Sequence, residues 1–202
     1  MTFVLASNNR KKLVEMREIL SELGVEVISL AEAGVHASPE ETGATFAENA
    51  LIKADAACSA TGMPSVADDS GLVVDALGGA PGVYSARYGG EGLSDTDRYL
   101  LLLKNMEDKE QRGAAFVSSI ACRFPDGTLI TSEGTCPGEI LRAPAGDRGF
   151  GYDPVFFLPE LGRSMAQLTA EEKNAVSHRG QALRVFAEKL REHMESGEIH
   201  NA

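Results

Sequence analysis

The chain has 202 residues, 43% of them hydrophobic and 24% charged, with a formal net charge of −11. That length and apolar content suit one α/β domain or two small lobes with a real core, and nothing in the composition suggests disorder. The acidic balance opposes binding to a nucleic-acid polymer, which normally needs a contiguous basic face, and leaves open a small anion held by a local group of cations or a metal.

The opening MTFVLASNNRKK carries a short apolar run with no basic region before it, so neither a signal peptide nor a membrane span is expected, and a cytosolic protein is. Cys58, Cys122 and Cys136 are odd in number and show no CxxC spacing, which predicts reduced thiols rather than disulfides or a zinc site. Thr2 to Ala6 reads as a first strand, and Leu13, Met16, Leu20 and Leu23 recur at helical spacing up to Gly24. Between them lies the polar turn Ser7-Asn8-Asn9-Arg10-Lys11-Lys12, where a helix begins with free amide donors and nearby cations. That arrangement favours an anion, although it lacks the GxxxxGK[ST] pattern of a Walker loop.

Glu40 and Glu41 precede Thr42-Gly43, after which Thr45 and Glu48 form a capping box opening an alanine-rich helix to about Ala60. On that helix Phe46, Leu51, Ala54 and Cys58 supply the expected buried stripe, with Asn49 and Lys53 sharing one face near its rim. In VADDSGLVVDALGGAPGVYSARYGG, Val66 to Gly90, an apolar strand is expected to deliver Asp68 and Asp69 at its carboxyl end. Ser70 adds a small polar group and Gly71 permits close backbone approach, a pattern that suits a hard cation such as Mg²⁺. The alternative is an Asp-rich turn that merely caps an element.

Leu77 to Gly82 reads as a turn, followed by a long irregular loop through Gly90. A helix over Ser94 to Met106 is expected to bury Leu100 to Leu103. Ala114 to Phe124 and Thr128 to Glu133 form an expected hairpin across Pro125-Asp126-Gly127, with a further strand over Thr135 to Leu141. In Phe150-Gly151-Tyr152-Asp153, flanking glycines leave an aromatic ring exposed beside a carboxylate, which suits a flat heterocycle; the alternative is a tight turn before a strand at Val155 to Leu158. Thr169 and Glu172 make another capping box, and Lys173, His178 and Arg179 then crowd together as donors for an oxygen-rich ligand.

Taken in order, SNNRKK, ETGATFAENALIKADAA, VADDSGLVVDALGGAPGVYSARYGG, FGYDPVFF and EEKNAVSHRGQAL resemble the inosine/xanthosine triphosphate pyrophosphatase family. The match runs from Ser7 to about Leu183. The resemblance implies a single domain over residues 1–202, an elongated mixed sheet flanked by helices, and two lobes with a central active-site cleft. It implies a homodimeric Mg²⁺-dependent enzyme that converts ITP, dITP or XTP to the nucleoside monophosphate and pyrophosphate. Ser7 to Lys12 and Lys53 would then hold phosphate, and Glu41 and Asp69 the metal. Asp69 would be the family's proton acceptor and Ser70 a substrate contact, while on the residues alone either Asp68 or Asp69 could deprotonate the attacking water. Phe150, Gly151, Tyr152, Asp153, Lys173, His178 and Arg179 would surround base and ribose. Because the acid before Thr42 is doubled, either Glu40 or Glu41 could reach the metal, with Glu41 favoured. A phosphatase or diphosphatase of ordinary nucleotides or sugar phosphates and a non-catalytic nucleotide-binding module are the rival classes.

Overall fold

A computed structural model describes residues 1–7, 10–36 and 39–199, with side chains described for the same residues except Arg10, Lys11, Glu15 and 197–199. Seven strands form one mixed sheet in the order β2-β1-β3-β4-β5-β6-β7. β1 (Thr2–Leu5) pairs parallel with both β2 (Glu26–Ser29) and β3 (Ser65–Val74), with Val4 opposite Ser65. β4 (Gly113–Arg123) and β5 (Leu129–Ile140) follow, and β5 pairs antiparallel with β6 (Phe156–Leu158), which pairs antiparallel with β7 (Arg163–Ser164). The helices are α1 (Arg10–Ser21), α2 (Phe46–Thr61), α3 (Asp95–Asn105), α4 (Ala170–Val176) and α5 (His178–Ile199). Among the described residues no helix is long and apolar enough to cross a membrane.

The chain divides into two compact units, residues 1–69, 118–134 and 181–202 in one, and 70–117 and 135–180 in the other. In the first unit, strand alternation sorts side chains between two cores. Phe3 and Leu5 of β1, Val66 of β3 and Ile120 and Cys122 of β4 join Met16 and Leu20 of α1 and Phe186 and Leu190 of α5. Val4, Ala67 and Ala121, one residue out of phase, join Ala50, Ala54 and Ala57 of α2. Burying the ring of Phe186 or the side chain of Leu20 completely stabilises this unit by about 1.5–3 kcal/mol each. The alanines on α2 contribute less area but let the helix axis approach the sheet closely.

The second unit has its own core, with Leu72 and Val74 of β3, Leu102 of α3, Phe116 of β4, Ile140 of β5 and Phe156 of β6 among its buried members. Gly138 is required there, because a Cβ would stand 2.5 Å from the Phe156 ring and from the Phe157 carbonyl oxygen. Cys58, Cys122 and Cys136 are free and buried. Burial pushes all three thiols up, Cys136 to about 11, so none is a ready nucleophile.

Four sequence expectations change. β3 does not stop at its acids but runs on to Val74, because Leu72 and Val74 are β-prone and find a core of their own. The strands expected on either side of Gly134 are one twelve-residue strand, β5. The segment after Pro81 is ordered as a 3-10 helix over Gly82–Arg87. In α3 only Leu102 is fully buried and Leu100 is 47% exposed, since a helix cannot turn four consecutive side chains to one face.

Candidate active site

Helix α2 begins where the sequence says it should. Thr45 caps it by accepting from the Glu48 amide, Glu48 returns the bond, and Gly62 closes the other end in the left-handed region at φ 65°. The interior of that helix departs from expectation, because Asn49 is 0% and Lys53 9% exposed rather than lying at a rim. Both point the same way as Ala50, Ala54 and Ala57, toward β3.

The pleat of β3 explains which acid they meet. Consecutive residues of a strand face opposite sides, so Asp69 follows Ala67 toward α2 while Asp68 follows Val66 toward α1. Lys53 Nζ accordingly stands 2.9 Å from Asp69 Oδ1, 3.2 Å from Glu41 Oε1 and 2.8 Å from the Asp68 carbonyl oxygen. On the other side, Lys12 Nζ of α1 lies 2.8 Å from Asp68 Oδ2, whose side chain is fully buried. Two adjacent carboxylates are thus held apart, each against its own lysine. Glu41, not the exposed Glu40, is the acid that reaches Lys53. Asn8 and Asn9 lie outside the described residues, as do the side chains of Arg10 and Lys11. Ser7 lies two residues beyond the end of β1, its amide donating to the Leu5 carbonyl.

Burial alone would push the Lys53 ammonium down, but Asp69, Asp68 and Glu41 together outweigh it and hold the group above the ordinary lysine range. Burial pushes Asp69 above the ordinary carboxylate range, with Lys53 opposing and Glu41 adding to the rise. These are three acids and two lysines gathered together, Asp68, Asp69 and Lys53 buried and Glu41 still reached by water.

In the second unit a different chemistry collects. Phe150 is 37% exposed, and its ring lies 4.4 Å from Lys173 Nζ, which also pairs with Asp153 Oδ2 at 2.5 Å. The loop carrying it is fixed by three bonds. The Phe150 amide donates to Asp153 Oδ2 at 2.9 Å, the Gly151 amide to Asp95 Oδ2 at 2.8 Å, and the Tyr152 hydroxyl to the Ser85 carbonyl at 2.8 Å. Gly149, at φ 80°, could carry no side chain, since a Cβ there would overlap the Asp153 carboxylate. At the start of α5 the His178 ring stacks on Phe116 at 4.9 Å and 15°, and Arg179 Nη2 reaches Ser70 Oγ at 3.4 Å while only 8% exposed.

Sequence reasoning named most of these side chains. It missed Asp95, Ser85 and Phe116, whose partners lie 56, 67 and 62 residues away, and no local pattern marks them. Among the described residues no three His, Cys, Asp or Glu side chains form a metal cage; Glu41 and Asp69 are the carboxylates that meet at Lys53.

Known proteins place the chain firmly. The model of the Ham1 family matches residues 3–189. A dITP/XTP pyrophosphatase of Yersinia pestis is 50% identical over 194 residues, covering 94% of this chain and 98% of that protein. The structure of a HAM1 protein from Coxiella burnetii superposes with a TM-score of 0.91 at 45% identity, covering 95% of this chain and 99% of that one. A nucleoside-triphosphatase, dITP/XTP pyrophosphatase, from Mycobacterium abscessus gives 0.80 at 49% identity over 92% of this chain and 98% of its own. The resemblance carried by the five motifs therefore holds over nearly the whole length, and this chain belongs to the Ham1 family.

Proposed function

We propose that the chain hydrolyses the deaminated purine nucleotides ITP, dITP and XTP to the nucleoside monophosphate and pyrophosphate, with Mg²⁺ as its metal, and so keeps them out of DNA and RNA. The observation that carries the chemistry is the convergence of Glu41 and Asp69 on one point, both within 3.2 Å of Lys53 Nζ. The choice of base rests on the 50% identity to a protein named for dITP and XTP.

The donor set fits the metal. Glu41 and Asp69 offer hard carboxylate oxygens, and no sulfur or imidazole stands with them among the described residues. Mg²⁺ typically takes one or two such carboxylates and completes its shell with phosphate oxygens and water. Bound there, it would neutralise phosphate charge as the α–β anhydride breaks.

The chain's own groups do the rest. A triphosphate carries roughly four negative charges, which Lys12, Lys53 and the helix start at Ser7 to Lys12 draw in and orient. Asp69 accepts the proton of the water whose oxygen attacks the α-phosphorus, and pyrophosphate leaves with the bridging oxygen. The buried Cys58, Cys122 and Cys136, their thiols pushed up, leave no role for a cysteinyl intermediate. Phe150 stacks on the base, while Asp153, Lys173, His178 and Arg179 supply polar contacts. A donor from His178 or Arg179 pairs with the 6-oxygen of hypoxanthine or xanthine but faces the 6-amine of adenine. Leaving such a donor unpaired rejects the wrong base by roughly 10⁴-fold.

The deciding assay measures pyrophosphate and orthophosphate released from ITP, XTP, GTP and ATP, with Mg²⁺ or with EDTA. Pyrophosphate from ITP and XTP is expected, at least about 100-fold lower with EDTA and restored by Mg²⁺. Orthophosphate, or equal rates on ATP, would discard the reading. In the same assay Arg179→Ala should lower ITP turnover more than ATP turnover; an equal loss on both would reassign Arg179 to Ser70 alone.

The reading extends to a cytosolic homodimer, supported by the family resemblance and, for the compartment, by free thiols at all three cysteines. Sedimentation equilibrium should return twice the chain mass of 21.4 kDa, and a single chain mass would remove the dimer.

A further inference from the structure

Asn49 sits in the first turn of α2 and is 0% exposed, beside the buried Phe46, Ala50 and Lys53 of the same helix. An apolar residue would pack there at less cost, because a buried carboxamide must find partners for both of its ends. Asn49 finds them in two separate parts of the chain. Its Oδ1 accepts from the Gly43 amide at 2.8 Å, and its Nδ2 donates to Asp69 Oδ2 at 3.4 Å. Gly43 lies two residues beyond Glu41, so one uncharged side chain ties the segment carrying Glu41 to the carboxylate of Asp69.

The neighbouring contacts strengthen that tie. Glu48 Oε2 accepts from the Ala44 and Thr45 amides at 2.7 and 3.2 Å, so two consecutive side chains of α2 hold the segment after Glu41. The approach of Gly43 to the helix leaves no space for a side chain. A Cβ there would stand 2.7 Å from Asn49 Oδ1, 2.7 Å from Glu48 Cβ and 2.9 Å from the Asn49 nitrogen. Lys53, one turn further along α2, bonds Glu41 and Asp69 directly through its charge. Asn49, itself uncharged, reaches the same region by donating to Asp69 Oδ2 and accepting from the Gly43 amide.

We infer that Asn49 is a positioning residue that sets the spacing of Glu41 and Asp69 and thereby the affinity for the divalent cation. The inference rests on the reading above that these two carboxylates hold Mg²⁺. A group that orients ligands acts on metal affinity, so its loss should weaken binding by about 10–100-fold. Turnover at saturating metal should fall by less than the metal affinity does, because Asn49 reaches the reacting groups only through Asp69.

The test measures the Mn²⁺ dissociation constant directly by electron paramagnetic resonance without nucleotide, and the Mg²⁺ concentration for half-maximal ITP turnover. Wild type, Asn49→Ala, Gly43→Ala and Asp69→Asn are compared. Gly43→Ala breaks the tie from its other end, so it should reproduce the Asn49→Ala increase in both constants, and it carries the test alone if Asn49→Ala does not fold. A lower melting temperature with unchanged metal constants in either folded variant would overturn the inference and make Asn49 a packing residue. Mn²⁺ binding that Asp69→Asn leaves untouched would instead overturn the metal reading itself.

Discussion

Asp69→Asn is expected to lower kcat on ITP by at least about 100-fold while leaving the fold intact, since loss of a general base typically costs 10²–10⁴. The substitution keeps the side-chain shape and leaves an oxygen that can accept from Lys53, while its new amide faces the Asn49 Nδ2 donor and costs that one bond. Lys53 also retains Glu41 and the Asp68 carbonyl as partners, which spares it from becoming an uncompensated buried cation. The stability loss should therefore stay near 1–2 kcal/mol, below that for breaking an isolated buried pair. What disappears is the proton-accepting charge, on a carboxylate that burial already makes more basic than usual. Steady-state kinetics alongside thermal melts check both halves. Retention of more than about a tenth of the rate would remove Asp69 from the role. If Asp68→Asn proved the more damaging of the two, the base would be the acid paired with Lys12 instead.

Local signals read well from the sequence because they depend on a few neighbouring residues. Thr45 with Glu48 and Thr169 with Glu172 are both capping boxes in the structure, and Ser94 caps α3 by accepting from the Asp97 amide. The strand at Thr2 to Leu5 and the turn at Pro125 to Gly127 are likewise encoded within a handful of positions. Burial of polar side chains is a different matter. Periodicity assigns a helical Asn or Lys to the outside, whereas Asn49 and Lys53 are buried because Asp69, 20 and 16 residues away, satisfies them. The stack of His178 on Phe116 depends in the same way on a strand brought up by the sheet. The carboxylates of the site were legible as a motif, but which lysine each one meets follows from the pleat of β3, which a linear reading cuts short after Asp69.

Lys53→Met should be the most damaging single change in this part of the chain. Methionine fills a similar volume along the alanine face of α2, so the effect isolates the ammonium. Without it, Glu41 and Asp69 keep their charges with no cation between them, and the Asp68 carbonyl loses a donor. Removing one partner of a buried ion pair usually costs 3–5 kcal/mol. Water reaches the Glu41 side chain, 31% exposed, and relieves part of this, leaving about 2–4 kcal/mol. For a chain of this size that lowers the melting temperature by roughly 5–15 °C. Activity should fall by about 100-fold or more as well, because the same ammonium neutralises phosphate charge. Lys53→Arg should restore the charge without the geometry, since a planar fork cannot direct donors at three oxygens that surround a compact ammonium. Melts of the two variants separate the contributions. A Lys53→Met protein as stable as wild type would mean that the acids hold each other through water or a shared proton, and that Lys53 serves the ligand alone.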